Sequence, residues 1–182
     1  MRKVLYILGE LEDLDLQWLL DAGHPQSVSA GADIIREGAV LESLFIIVDG
    51  EFSVGKAGAE VARLGPGEVV GDMSLLDSRL PGATVAATQD SSVFVIPFRT
   101  LRRRLRSDAE FAARFYRALC IFLANRLNRA GVAPGRESPQ SGGVQPLAEG
   151  EMSPDALDTL ALAGARFDWF LQRVRGIQSG GM

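Results

Sequence analysis

Between Gln26 and Pro97 the chain is interrupted every few residues by groups that turn a backbone: Ser29-Ala30-Gly31, Glu37-Gly38, Asp49-Gly50, glycines 55 and 58, and Gly65-Pro66-Gly67. The intervening runs, among them Leu44–Val48, Glu51–Val54, Glu60–Leu64, Ala83–Ala87 and Ser92–Ile96, are short and β-prone. Strands at such spacing pack as a sandwich or a barrel. Asp49-Gly50 falls between two of them and reads as a hairpin turn, because a type I′ turn needs positive φ at both central residues.

On either side of this region the period becomes helical. Residues 12–22 put Leu16, Leu19 and Leu20 on one face behind a first turn of acids, and Gly23 follows as a stop. After Pro97, Leu101 and Leu105 give the segment 98–106 an apolar edge, so Arg99, Arg102, Arg103, Arg104 and Arg106 read as its solvated face. Ser107-Asp108-Ala109-Glu110 has the form of a capping box and starts a helix to about Ala130. Residues 131–152 are rich in Gly, Pro and Ser without periodicity and read as a flexible linker. Ser153-Pro154-Asp155 then opens a last helix, to about Arg175, with Leu157, Leu160, Gly164, Phe167, Leu171 and Val174 in one stripe. The expected fold is mainly β with flanking helices: an N-terminal helix, C-terminal helices and an extra tail helix. The expected units are 1–130, the linker 131–152, and the C-terminal helical segment 153–182.

The stretch from Val70 to Ala87 carries the chemistry. Gly71 permits a sharp turn, about one helical turn follows from Met73 to Asp77, and a loop leads into a strand-like run. The N–H groups opening a short helix lack intrahelical acceptors and face an anion favourably. With Gly71, Ala83, Thr84 and Val85 in matching places, the segment resembles the phosphate-binding cassette of the cyclic nucleotide-binding domain family. That resemblance implies a double Greek-key β jelly roll over roughly residues 10–130. It also implies a ligand site drawn from Gly71, Asp72, Met73, Ser74, Arg79, Pro81, Gly82, Ala83 and Thr84. Two positions depart from the family pattern. Asp72 stands where the family has its ribose-binding Glu, one methylene shorter. Pro81, with neither charge nor N–H, stands where it has its phosphate-binding Arg, and the nearest guanidinium belongs to Arg79. Gly82 offers no hydroxyl where some guanine-preferring members carry Thr or Ser, which favours cyclic AMP as the ligand.

Other chemistries find little support. The single histidine, His24, cannot build the multi-imidazole metal site of a cupin-type barrel, so no metal, cofactor or catalytic residue is expected. The third glycine of the run 65–71 comes one residue too late for a dinucleotide loop. A formal net charge of −4 argues against nucleic acid, and 52 residues after position 130 are too few for a linker plus a winged helix. The apolar runs are too short and too charged for a membrane span, and no cleavage signal opens the chain, so the expected setting is the cytoplasm. Cys120, between Leu119 and Ile121, fits a reduced, buried thiol.

The apolar residues of 108–130 form a stripe wider than one barrel contact needs, with Phe111, Phe115, Leu119 and Phe122 on one track. In the family this helix caps the ligand and pairs with its counterpart, so Phe115, Leu119 and Phe122 are candidates for a homodimer interface. The stripe of the last helix invites a protein partner or the barrel itself. Two functions remain open. One is a non-enzymatic sensor that binds a cyclic nucleotide weakly or in altered fashion and signals through its C-terminal helices. The other is a degenerate domain without nucleotide binding that serves as a dimerisation or docking scaffold.

Overall fold

The computed structural model describes residues 10–129 and 154–179. The expected linker 131–152 lies outside the described residues. The elements run α1 (Asp13–Ala22), β1 (His24–Val28), β2 (Asp33–Ile35), β3 (Ser43–Asp49), β4 (Phe52–Lys56), β5 (Ala59–Leu64), β6 (Val69–Val70), α2 (Asp72–Asp77), β7 (Thr84–Ala87), β8 (Ser91–Pro97), α3 (Phe98–Ser107), α4 (Ala109–Arg129) and α5 (Pro154–Ser179). Two antiparallel four-stranded sheets, ordered β1-β8-β3-β6 and β2-β7-β4-β5, face each other as a jelly roll.

The continuous apolar run of β3 follows from its position. Successive side chains of a strand point to opposite faces, and both faces here are covered. Phe45 and Ile47 enter the core between the sheets with Phe52, Val85 and Val93. Leu44, Ile46 and Val48 face outward into a second core, where α1, α3, α4 and α5 contribute Leu16, Leu101, Phe111, Phe115 and Phe170. Phe170 meets Phe94 of β8 edge to face, with centroids 5.2 Å apart. Helix α5 therefore docks on its own barrel. It continues through Gly176 to Ser179, past the end expected at about Arg175.

Asp49-Gly50 is not a hairpin turn. β3 pairs with β6 and β8 while β4 pairs with β5 and β7, so this dipeptide carries the chain from one sheet to the other. Only Gly50 has positive φ, at 92°, and a Cβ there would strike Ser91. The two-residue hairpin loop lies between β4 and β5 instead, where Ala57 (φ 50°) and Gly58 (φ 81°) are both left-handed. Helix α4 is capped by Asp108, whose Oδ1 accepts the Phe111 N–H at 2.9 Å, rather than by Ser107.

Candidate functional site

β6 leads into Gly71, whose φ of 94° few other residues adopt, and a Cβ there would lie 2.8 Å from the Ser43 carbonyl oxygen. The chain thus turns tightly against β3 and enters α2 with no side chain capping its first N–H groups. Asp72, Ser74 and Leu75 are buried, and Met73 is half exposed. The helix stops at Ser78, which is itself left-handed. Arg102 reaches across from α3, and its Nη2 donates to the Ser74 carbonyl at 3.2 Å and to Ser78 Oγ at 3.3 Å. A cation at the carbonyl end of a helix complements its dipole. The return loop is fastened by the Pro81 carbonyl, which accepts the Gly38 N–H at 2.9 Å, and by Thr84 Oγ1, which accepts the Glu37 N–H at 3.1 Å.

Between this helix and loop lies a cavity of about 110 Å³. Gly71, Asp72, Met73 and Ser74 line one side, Pro81, Gly82 and Ala83 the other, and Ile35, Val54 and Val85 the floor. Seven of the nine expected ligand residues are thereby brought together. Arg79 and Thr84 are not among the lining residues. Arg79 points to solvent, with 79% of its side chain exposed, and its Nε pairs with Asp77 Oδ2 at 2.6 Å. The lining therefore contains one carboxylate and no cationic side chain. Such a pocket can accept hydroxyl donors at Asp72 and offer backbone N–H groups to an anion, but no guanidinium neutralises a phosphate in it.

Two arginines read as solvated have structural work. Arg102 clamps α2 as described, and Arg104 lies over both Trp18 and Phe111 while its Nη2 pairs with Asp108 Oδ2 at 2.9 Å. The Arg104–Asp108 spacing signals that pair in the sequence, whereas nothing local to α3 signals the reach of Arg102 to α2. Phe115 and Leu119 are buried in the subunit's own core, because they join the cluster built by α1, α3, α5 and the outer faces of β3 and β8. These two side chains are not presented to a second subunit. The Phe122 side chain lies outside the described residues. Cys120 is exposed rather than buried, since it falls one turn after Tyr116 on the outward track of α4. Among the described residues, no three His, Cys, Asp or Glu side chains gather to hold a metal. None of the helices, within those residues, is long and apolar enough to cross a membrane.

Residues 25–108 match the family model described as the cyclic nucleotide-binding domain. The chain is 36% identical over 87 residues to the cAMP-dependent protein kinase regulatory subunit of Eremothecium gossypii, which covers 47% of this chain and 19% of that protein. It is 30% identical over 122 residues to glutaminase 2 of Bradyrhizobium diazoefficiens, covering 66% of this chain and again 19% of the relative. This chain thus spans about a fifth of either curated relative. Among solved structures, a cyclic nucleotide-binding domain from Methylobacillus flagellatus superposes with a TM-score of 0.65 at 19% identity, covering 75% of this chain and 84% of that one, a likeness of fold.

Proposed function

Because residues 25–108 form a domain of the cyclic nucleotide-binding family, we propose that the chain is a non-enzymatic regulatory module whose cassette takes a cyclic nucleotide, cyclic AMP by preference, only weakly, and signals through the helices after the barrel. The observation that carries this reading is a cassette whose turn and helix are in place around a cavity lined by Asp72 but by no arginine or lysine. Backbone N–H groups and one carboxylate can orient the ligand. The charge-assisted bidentate contacts of a guanidinium to phosphate have no source. Arg102 provides a route outward, because it ties the last turn of α2 to α3. The test is a titration with cyclic AMP followed by the amide resonances of Gly71, Ser74, Gly82 and Ala83. They should move, and saturate only above about 100 μM, the range left when such a charged pair is lost from a micromolar site.

A second reading, a scaffold without nucleotide binding, is favoured by the cavity's size. Its volume of about 110 Å³ falls short of the roughly 300–1,000 Å³ of ordinary small-molecule sites. Cassette resonances that stay still at millimolar nucleotide would select it. A homodimer also belongs to the proposal, but with Phe115 and Leu119 buried it would use the outward track of α4, where Tyr116 and Cys120 are exposed.

A further inference from the structure

Beside α3 and the segment leading into β3 lies a groove of about 1070 Å³. Its apolar floor is Val40, Leu41 and Pro97; Phe98 lies buried beneath it with Arg102 over its ring at 5.2 Å, and the Phe98 N–H fixes one edge by donating to the Glu42 carbonyl at 2.7 Å. Arg99, Arg102, Arg103 and Arg106 line the wall. Arg102 is committed to α2. The other three are exposed and make no ion pair with any described carboxylate, although Glu42 lines the same groove. Elsewhere the described arginines are mostly paired: Arg36 with Asp33, Arg63 with Glu51 and Glu60, Arg79 with Asp77, Arg114 with Asp15, Arg117 with Glu10 and Arg166 with Asp13. The concentration of unpaired positive charge on one wall of one groove stands out against a net charge of −4.

We propose that this groove docks an extended acidic peptide segment of a partner protein, its carboxylates on Arg99, Arg103 and Arg106 and its interleaved apolar side chains on Val40 and Leu41. Three observations select that occupant. The three guanidinium-bearing residues follow one another at i, i+4 and i+7, so their Cα atoms span about 10 Å along the helix, the length of about three residues of extended chain. The groove, at about 1070 Å³, is larger than most small-molecule sites. The apolar floor has no use for a bare polyphosphate, and a long nucleic acid would meet the acidic remainder of the surface. Arginine suits this task because its planar fork binds carboxylates bidentately.

The test uses the full chain and a fluorescein-labelled short peptide of alternating Glu and Leu, read by anisotropy at low ionic strength. Saturable binding is expected, weakened roughly tenfold or more by the triple variant Arg99→Glu/Arg103→Glu/Arg106→Glu, the loss appropriate to three exposed ion pairs acting together. The charge-neutral triple variant to Gln should weaken it less, and Val40→Glu should weaken it with all three arginines intact. Because all four positions are exposed, unchanged thermal unfolding should accompany each variant. Undiminished binding by the triple Glu variant, equal binding of the matching Lys–Leu peptide, or an absence of binding to the wild type would overturn the proposal. So would tighter binding of inorganic triphosphate than of the peptide, because it would make a small polyphosphate the ligand class.

Discussion

Arg114 of α4 holds both carboxylate oxygens of Asp15 of α1, donating from Nε to Oδ2 at 2.7 Å and from Nη2 to Oδ1 at 3.1 Å, across a sequence separation of 99 residues. Asp15 is buried to 1% exposure, and its Oδ2 also accepts the Glu12 N–H at 3.0 Å. The pair locks the N-terminal helix to the helix that follows the barrel. Removing one partner of a buried pair leaves an uncompensated charge, whereas removing both does not. Arg114→Met should therefore lower the urea midpoint more than the double variant Arg114→Met/Asp15→Leu does, a comparison made by equilibrium unfolding of all three proteins.

The same carboxylate sets an acid dependence. Burial raises the pKa of Asp15, but the hydrogen bonds and charge of Arg114 and the Glu12 N–H outweigh it and hold it below the ordinary carboxylate range. A depressed folded value means that its stabilising contribution is fully present above the unfolded value, about 3.9, and is lost as pH falls through the folded one. Unfolding measured between pH 6 and pH 2 should show stability declining on this limb, with a shallower decline in Asp15→Asn.

Ala57 sits in the left-handed region at φ 50° in the β4–β5 turn, where asparagine followed by glycine is favoured. Its N–H donates to Glu37 Oε2 at 3.2 Å, a bond that does not depend on the side chain. Ala57→Asn should stabilise the protein by about 1 kcal/mol, the order of the left-handed penalty it relieves, as read from thermal or urea unfolding.

Arg102 is the cation at the carbonyl end of α2. Its replacement by Met should leave global unfolding nearly unchanged. It should also speed hydrogen exchange of the α2 amides about two- to fivefold, corresponding to the 0.3–1 kcal/mol of a charge at a helix end.

Much of this architecture can be read from particular residues. Gly31, Gly38, Gly58 and Gly67 mark turns where the strands end, and Gly71 opens the cassette because the backbone there must be left-handed and pressed on Ser43. What escapes the sequence is pairing at a distance. Asp49-Gly50 has hairpin chemistry, yet which strands flank it is decided by β6, β7 and β8 competing for the edges of β3 and β4. The stripe of α4 reads as demanding a second subunit, yet Phe111, Phe115 and Leu119 join the core that α1, α3, α5 and the outer face of the β3–β8 sheet build within the subunit. Likewise Arg79 and Arg102 are both arginines near the cassette, and only the fold shows that the first faces solvent on Asp77 while the second clamps α2.

On the proposed reading, the cassette is intact in backbone but lacks a phosphate-binding charge. Calorimetric titration of cyclic AMP into the wild type and into Pro81→Arg tests it most directly, since that substitution supplies a guanidinium from a residue that already lines the cavity. The expected result is a wild-type Kd weaker than about 100 μM and a gain of at least tenfold in the variant, the low end of what a charged hydrogen-bonded pair contributes. Low-micromolar binding by the wild type, lost in Arg79→Ala, would contradict it by showing that Arg79 leaves Asp77 to take the phosphate.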